Sequence, residues 1–423
     1  MKKLIIWLIL CTITLLGQKQ SEPPSSASRL PFQSEIISFP RNDGEFSVYY
    51  TYRIPYRLLV FERSEEQFIA GFSVTVEILD EDSKLVARDI KESRITVENF
   101  ESTNDRNVFL QEYLSFRLKP GEYSVAAFIS DKNSSGEMPV PTFRLKLKEI
   151  KSVLHPLVIN SEELICGENK SFTLANSAGK IPYSSDRFHL IIPIRDTTVS
   201  SLKISIENND DEIISAVVNE SYIIPIGISE CEKMITVSKN EENLPVKIFI
   251  YRNFNDKLLE GEVVLSVTSE ENSIDEEFNS ECLWFNKPFS LMDVERAIEY
   301  LSFIESDSIV YSMLDESSSD YPEILSVYWA KYDPTPETVF NEVMSEYYTR
   351  VDHAVKEFRG LGKDDGAKTD RGAVYIKFGQ PEKIERSSNS MGQIVEIWTY
   401  SKPDRKISFI DRKGTGNFTL TEN

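Results

Sequence analysis

Alternation of apolar and polar positions with a period of two dominates the first two thirds of the chain. In Phe72-Ser-Val-Thr-Val-Glu-Ile-Leu-Asp, the residues Phe72, Val74, Val76 and Ile78 share one face. Ser73, Thr75 and Glu77 share the other, the pattern of a half-buried antiparallel strand. The run from Phe46 to Pro55 alternates as well and is rich in aromatics, and Tyr56 to Phe61 reads as a further short strand. Two strands flank Pro120-Gly121, where a residue of fixed φ precedes one tolerant of positive φ. Phe143-Arg-Leu-Lys-Leu closes the unit. Short strands with turn signals and no long helical period predict an immunoglobulin-like β-sandwich over residues 28–152.

A second series of short strands follows the boundary at His155-Pro156. It includes Phe188 to Ile194, Leu202 to Glu207, Tyr222 to Ile226, Val246 to Tyr251 and Gly261 to Val267. These predict a second sandwich over residues 153–269. Pro193 and Pro225 interrupt two of the runs, which places those strands at edges or bulges. Residues 270–283 carry six acidic side chains and read as a solvated linker.

The period then becomes helical. Val294, Ala297, Ile298, Leu301 and Ile304 repeat at helical spacing behind Ser290 and Asp293, residues suited to a helix start. Pro322 opens a second helix through Trp329. Thr335 and Pro336 predict the start of a long third helix with its apolar stripe from Val339 to Phe358, stopped by Gly360 and Gly362. Val374-Tyr-Ile-Lys-Phe alternates again, as do the runs starting at Ile394, Lys406 and Asn417. The expected fold is therefore mostly β with an α+β C-terminal part. Two sandwiches precede a domain at 284–423, in which helices at 290–359 pack on an antiparallel sheet at 373–421.

Composition narrows the partners. The 423 residues carry a formal charge of −21, but from Arg350 onward there are 14 Lys/Arg against 11 Asp/Glu, so the preceding part carries −24. An acidic body disfavours nucleic acid and anionic lipid, which need clustered cations. At the N-terminus, Lys2 and Lys3 precede the apolar run Leu4 to Leu16 and a polar stretch follows. That pattern predicts a secretory signal over residues 1–17, then a Ser/Pro-rich linker over 18–27. A retained anchor is the alternative, and no later run is long and apolar enough to span a bilayer. The expected location is the periplasm or cell envelope. Three cysteines remain beyond the signal, so at most one disulfide forms within the chain. Cys166 with Cys231 is the expected pair, buried free thiols the alternative.

Candidate chemistry is sparse. His155, His189 and His353 lie far apart, with no partner at ligand spacing, so no metal site is expected. No Gly-x-Ser-x-Gly elbow occurs, and Gly366-Ala-Lys-Thr lacks the spacing of a phosphate loop, so no cofactor is expected either. What remains is Thr369-Asp-Arg-Gly372. Asp370 is placed to accept backbone N–H bonds at the turn, leaving Arg371 to pair with a carboxylate, Glu346 or Asp411. Two readings follow: a buried turn that fixes helix against sheet, or a polar groove for an anionic or peptide ligand anchored by Arg371 and Arg412. A paired-carboxylate hydrolase using Asp364, Asp365 or Asp370 stays open, because nothing in the sequence fixes their separation.

An ordered set of motifs adds a resemblance. Trp329…Asp333-Pro-Thr-Pro, Glu346-Tyr-Tyr-x-Arg350 and Gly366-Ala-Lys-Thr-Asp-Arg-Gly372 come first. Tyr375-Ile-Lys-Phe-Gly-x-Pro381, Glu396-Ile-Trp-x-Tyr400 and Phe409-Ile-Asp-Arg-x-Gly-x-Gly416 follow. From about Trp284 to Asn423 the chain resembles the GWxTD-domain proteins, a bacterial secreted family, with Ala367 where the family's signature has tryptophan. The resemblance implies export and β-sandwich regions upstream, but it names no reaction. The expected role is a non-enzymatic module for a protein or cell-envelope partner; the alternative is a hydrolase-like or ligand-binding groove at Thr369 to Gly372.

Overall fold

A computed structural model describes residues 32–421, except 106–107, 135, 148–151, 168, 271–272, 363–364 and 403. The signal segment, its linker and Asp364 lie outside the described residues. The first unit holds β1 (Gln33–Pro40), β2 (Phe46–Pro55), β3 (Glu62–Ser64), β4 (Gln67–Leu79), β5 (Leu85–Val97), the short helix α1 (Phe100–Asn104), β6 (Phe109–Leu118), β7 (Glu122–Asp131) and β8 (Glu137–Lys146). Sheet β1-β2-β6 faces sheet β3-β4-β7-β8, whose β4 also pairs with β5. Val48, Tyr50, Tyr52 and Ile54 of β2 meet the expected face of β4 and Val125, Ala127 and Ile129 of β7. The Pro120-Gly121 turn carries the chain from one sheet to the other, since β6 pairs with β2. Tyr56 to Leu58 is a 3-10 turn rather than strand, closed by the Leu59 N–H on the Tyr56 carbonyl.

The second unit holds β9 (Leu157–Cys166), β10 (Asn169–Leu174), β11 (Ile181–Pro182), β12 (Phe188–Ile194), β13 (Leu202–Asn208), β14 (Asp211–Val218), β15 (Ser221–Ile224), β16 (Ile226–Cys231), β17 (Met234–Lys239), β18 (Val246–Tyr251), β19 (Gly261–Ser269) and β20 (Ile274–Leu283). One sheet runs β15-β18-β12-β9-β10-β17-β16, the other β11-β20-β19-β13-β14. β15 and β16 lie at opposite ends of the first order, yet Pro225 alone joins them. A flat sheet would part them by roughly 30 Å at about 4.8 Å per strand. The single residue spans that gap only because the sheet curls round on itself.

Two expectations fail in this unit. The acidic stretch is not a linker: Ile274–Leu283 pairs along its whole length with β19 and adds β11 at its far edge. Its Ile274 and Cys282 face the core, Asp275, Glu277 and Glu281 stand on the opposite face, and Glu276 is half-buried on the core side. Pro193 sits in a central strand rather than at an edge, because β12 is flanked by β18 and β9. Its carbonyl accepts from Leu154, and a residue's N–H points to the same side as its carbonyl. The missing donor therefore faces the place where the β9 ladder has already stopped at Leu157. Pro225 behaves as expected, between two edge strands.

The two units are joined by a common apolar seam. Ile37, Phe39 and Tyr49, on the outer face of the three-stranded sheet, cluster with Leu157, Ile159, Ile191, Ile226, Ile235 and Val237 of the second unit. At one end of the seam, Arg41 donates to Ser47 and Glu242, and Ser47 donates to Asn243 at 2.7 Å. Near the other end lies Glu35, 7% exposed. Its Oε2 accepts from Asn176 at 2.6 Å while Oε1 accepts no hydrogen bond. The His155 ring stands 3.7 Å from Oε1. The expected disulfide forms between Cys166 and Cys231, closing 65 residues across hairpin ends; Cys282 is buried and free.

The C-terminal unit has α2 (Val294–Tyr300), α3 (Asp307–Leu314), α4 (Tyr321–Ala330), α5 (Glu342–Glu357), α6 (Asp370–Phe378), and the antiparallel sheet β21 (Lys383–Ser388), β22 (Ile394–Ser401), β23 (Asp404–Asp411), β24 (Thr419–Leu420). Asp293, not Ser290, caps α2 by accepting from the Arg296 N–H. The long helix starts later than Thr335, because Asn341 caps it instead, accepting from Met344 at 2.8 Å. Thr335 donates to the Glu342 carboxylate in the loop before it. Val374 to Phe378 is helical, not strand, and the sheet begins at Lys383. The cap at Thr369 and Gly379 at φ +76° bracket α6, and they outweigh the short alternating pattern. No helix among the described residues is long and apolar enough to cross a membrane.

Two outcomes follow. Burial pushes the Glu35 carboxyl up to about 7, with the Gly179 backbone N–H and the Asn176 amide pulling the other way. A folded pKa above the unfolded 4.5 means stability is lost as pH rises through that window. Glu35→Gln is therefore expected to leave stability at pH 4 nearly unchanged. At pH 8 it should raise stability by about 3 kcal/mol, as read by denaturant unfolding at both pH values. Separately, Cys166→Ser with Cys231→Ser should cost roughly 3–4 kcal/mol, and thiol titration of the unfolded native chain should find its other cysteines free but this pair oxidised.

Candidate functional site

The signature loop is built on two close backbone approaches. A Cβ on Gly366 would stand 2.3 Å from the Ala354 carbonyl of α5, and one on Gly372 2.0 Å from the Gly366 carbonyl. Only glycine lets the end of α5, the 3-10 turn Gly366–Lys368 and the start of α6 meet this tightly. Ala367, between them, is wholly buried in the helical core. The position that holds tryptophan in the resembled motif thus faces the interior. Asp365 anchors the turn from outside: it accepts from the Ala367 N–H at 3.0 Å and from the Tyr300 hydroxyl at 3.2 Å.

Thr369 is spent on the same joint. Its hydroxyl donates to the Gly366 carbonyl at 2.7 Å and accepts from the Gly372 N–H at 3.1 Å, as the cap of α6. Asp370 is exposed, and its Oδ2 accepts from the Leu420 N–H at 2.7 Å, fastening β24 to α6. Arg371 is buried, with its guanidinium over the Phe418 ring at 4.1 Å and Phe358 at 5.4 Å. It donates to the Gly416 carbonyl at 3.3 Å.

The carboxylate facing Arg371 is neither of the two expected. It is Glu396 on β22, with Oε2 3.6 Å from Arg371 and 2.6 Å from the Arg386 Nε. Its Oε1 accepts from the Trp398 indole at 2.7 Å. Glu396 is 1% exposed, so the pair of arginines and the indole together satisfy a carboxylate held out of water. Burial draws the Arg371 pKa down despite the Glu396 charge beside it. A signal for Glu396 existed in the sequence. It shares a strand face with Trp398 two residues on, and an acid on an apolar face needs a partner.

The remaining expected residues separate. Glu346 is on the exposed side of α5 and pairs with Arg350 one turn on at 2.7 Å. Asp411 is buried and accepts from the backbone N–H groups of Lys413, Thr415 and Gly416. Its burial opposes ionisation, but these amides together hold its carboxyl below the usual range. It shapes the turn that presents the Gly416 carbonyl to Arg371. Arg412, next to it, is exposed. Thr369, Arg371 and Asp411 thus converge on one joint, Asp370 braces its rim, and Glu346 and Arg412 stand apart. His353 stacks on Tyr375 with ring centroids 4.4 Å apart. Among the described residues no group of three or more His, Cys, Asp or Glu is placed to hold a metal ion.

The joint predicts a graded mutational series. Glu396→Ala strands two arginines and an indole, and should cost about 3–5 kcal/mol in urea unfolding. Thr369→Ala should cost about 1 kcal/mol. Glu346→Ala should fall within about 0.5 kcal/mol of the parent.

Comparison with known proteins agrees with this assembly of motifs. The family model described as the GWxTD domain matches residues 269–422. No curated protein matches the chain. Among solved structures, the titin Ig tandem domains A164-A165 align at 10% identity, covering 60% of this chain and 99% of that one. The TM-score is 0.13, too low to carry an argument. Over residues 269–422, about a third of the chain, the protein is thus similar to the GWxTD domain.

Proposed function

We propose that the chain is an exported, non-enzymatic interaction module of the cell envelope, with the GWxTD domain docking a protein or envelope partner. The observation that carries this reading is where the signature spends its polar groups. Arg371 pairs with Glu396 and donates to the Gly416 carbonyl, Asp411 accepts from the Gly416 N–H, and Thr369 is bonded to Gly372, so these polar groups meet partners inside the joint of α6, β22 and the turn after β23. Groups committed to internal bonds serve as a scaffold, and the outer surface is left for recognition. The polar-groove alternative at Thr369 to Gly372 needs Arg371 to reach a ligand, whereas its donors already meet Glu396 and Gly416.

Export rests on the charged and apolar pattern of residues 1–17 and on the disulfide Cys166–Cys231, a bond that persists in oxidising compartments. The acidic sandwiches suit a soluble spacer that holds the C-terminal domain away from the membrane.

Photo-crosslinkers placed at Glu346, Asp370 or Arg412 in cells should trap one discrete envelope species. The purified chain should turn over nothing in a panel of peptides and glycans. Turnover that Asp370→Asn removes without shifting the melting temperature would overturn the proposal. A reporter active only outside the cytoplasm, fused after residue 27, should be active and should lose activity when residues 4–16 are deleted.

A further inference from the structure

The cleft between the two sandwiches contains an arginine unlike the others in the protein. Arg53 stands on β2 with Gln33 of β1 and Gln111 of β6 directly opposite it on either side. The three form a polar row across the outer face of the three-stranded sheet. Beyond the row, Thr51 on the same sheet and Asn176, Ser177, Leu174 and Ile235 of the second unit line a small open hollow that includes Arg53 itself. Arg53 is the charged residue of that lining.

The guanidinium is covered on its faces. Its Cζ lies 3.1 Å from the centre of the Phe109 ring and 5.6 Å from that of Phe285, which belongs to the C-terminal unit. Stacking of this kind uses the π faces and leaves the in-plane N–H fork for hydrogen bonds. Among the described residues that fork meets no carboxylate within ion-pair distance and makes no hydrogen bond, so its donors remain unspent. Arg53 is half-buried, and the contrast with the buried arginines Arg41 and Arg371 is direct. Arg41 has Asp43 and Glu242, and Arg371 has Glu396. Partial burial of Arg53, with no counter-ion opposing it, draws its pKa down to about 10. A half-buried cation without a counter-ion is partly stripped of water, and an anion that enters beside it offsets that cost.

We propose that this cleft binds a carboxylate, held edge-on by the Arg53 fork and assisted by the Gln33 amide. Gln33 is set for the purpose: its carbonyl oxygen accepts from the Ser177 hydroxyl at 2.8 Å, which leaves its NH2 group as a donor. The single fork matches the two oxygens of a carboxylate in parallel hydrogen bonds. The lining supplies one cation, so it neutralises a monoanion and leaves a phosphate dianion half compensated. The carboxylate can come from a small organic acid or from the end or side chain of a peptide.

The experiment uses the full mature chain at pH 7 and constant ionic strength. Sodium acetate is titrated against sodium chloride, with thermal unfolding as the readout. Acetate should raise the melting temperature saturably where chloride does not, and Arg53→Met should lose that response while remaining folded. Equal shifts from acetate and chloride in the parent, a comparison that needs no variant, would overturn the proposal, as would a full acetate response in Arg53→Met. A second titration uses a short peptide with a free C-terminal carboxylate and its amidated twin. Binding at least 10-fold tighter for the free acid than for acetate and for the amide assigns the site to peptides. Equal binding of acetate and the free peptide assigns it to small acids.

Discussion

The rest of the structure depends on β2 being buried on both faces. A strand that faces one core alternates between apolar and polar, and β4 does so. β2 cannot, because its inner face fills the first sandwich and its outer face seals the seam with the second. Tyr50 and Tyr52 serve the one and Tyr49 the other, with Ser47 and Thr51 bonded in the seam. At about 25 cal/mol per Å² of apolar surface, a seam with this many buried aliphatic and aromatic side chains is a structural interface, not a passing contact. The two sandwiches therefore act as one stiff body, and the polar groups at the seam are placed by it.

Much of the architecture could be read in the sequence. The face Phe72-Val74-Val76-Ile78, the helix Val294 to Tyr300 and the strand Val246 to Tyr251 all carry a period that matches their environment. The errors have a shared cause: tertiary contacts outweighed a local signal. Val374-Tyr-Ile-Lys-Phe alternates over five residues, too few to compete with a cap at Thr369 and two glycines that allow close helix contact. The acidic stretch before Leu283 looks like a solvated linker, but Asp275 to Glu281 lie in a paired strand with Asp275 and Glu277 exposed on its outer face. Pro193 breaks the rule for central strands only because its missing donor faces a gap in the ladder.

The candidate site was half legible. Thr369, Arg371 and Asp411 lie at one joint, but Arg371 pairs with neither expected carboxylate, and Asp370 accepts from Leu420 rather than within the turn. Their carboxylate, Glu396, is 25 positions from Arg371 in sequence and on another element, a distance no local pattern bridges. Arg53 was hidden for the opposite reason. It ends an aromatic run in which every other residue reads as core, so the one charge looked incidental. Arg371 is buried beside a carboxylate and Arg53 is half-buried without one, a difference visible only in three dimensions.

The junction of the C-terminal unit is not a single link. Covalently it is attached at Leu283–Trp284. A second attachment lies more than fifty residues on, where the Val339 N–H donates to Asp256 and the Val339 carbonyl accepts from the Tyr183 hydroxyl. Between the two, Trp284, Phe340 and Tyr183 form a ring cluster with centroids 5.2 to 5.5 Å apart. A body held at one point can swivel about a bond. A second attachment leaves only the line through the two points as an axis, and the ring cluster packed between them resists that rotation as well, so torque applied to the C-terminal unit is transmitted into the second sandwich rather than dissipated at a linker.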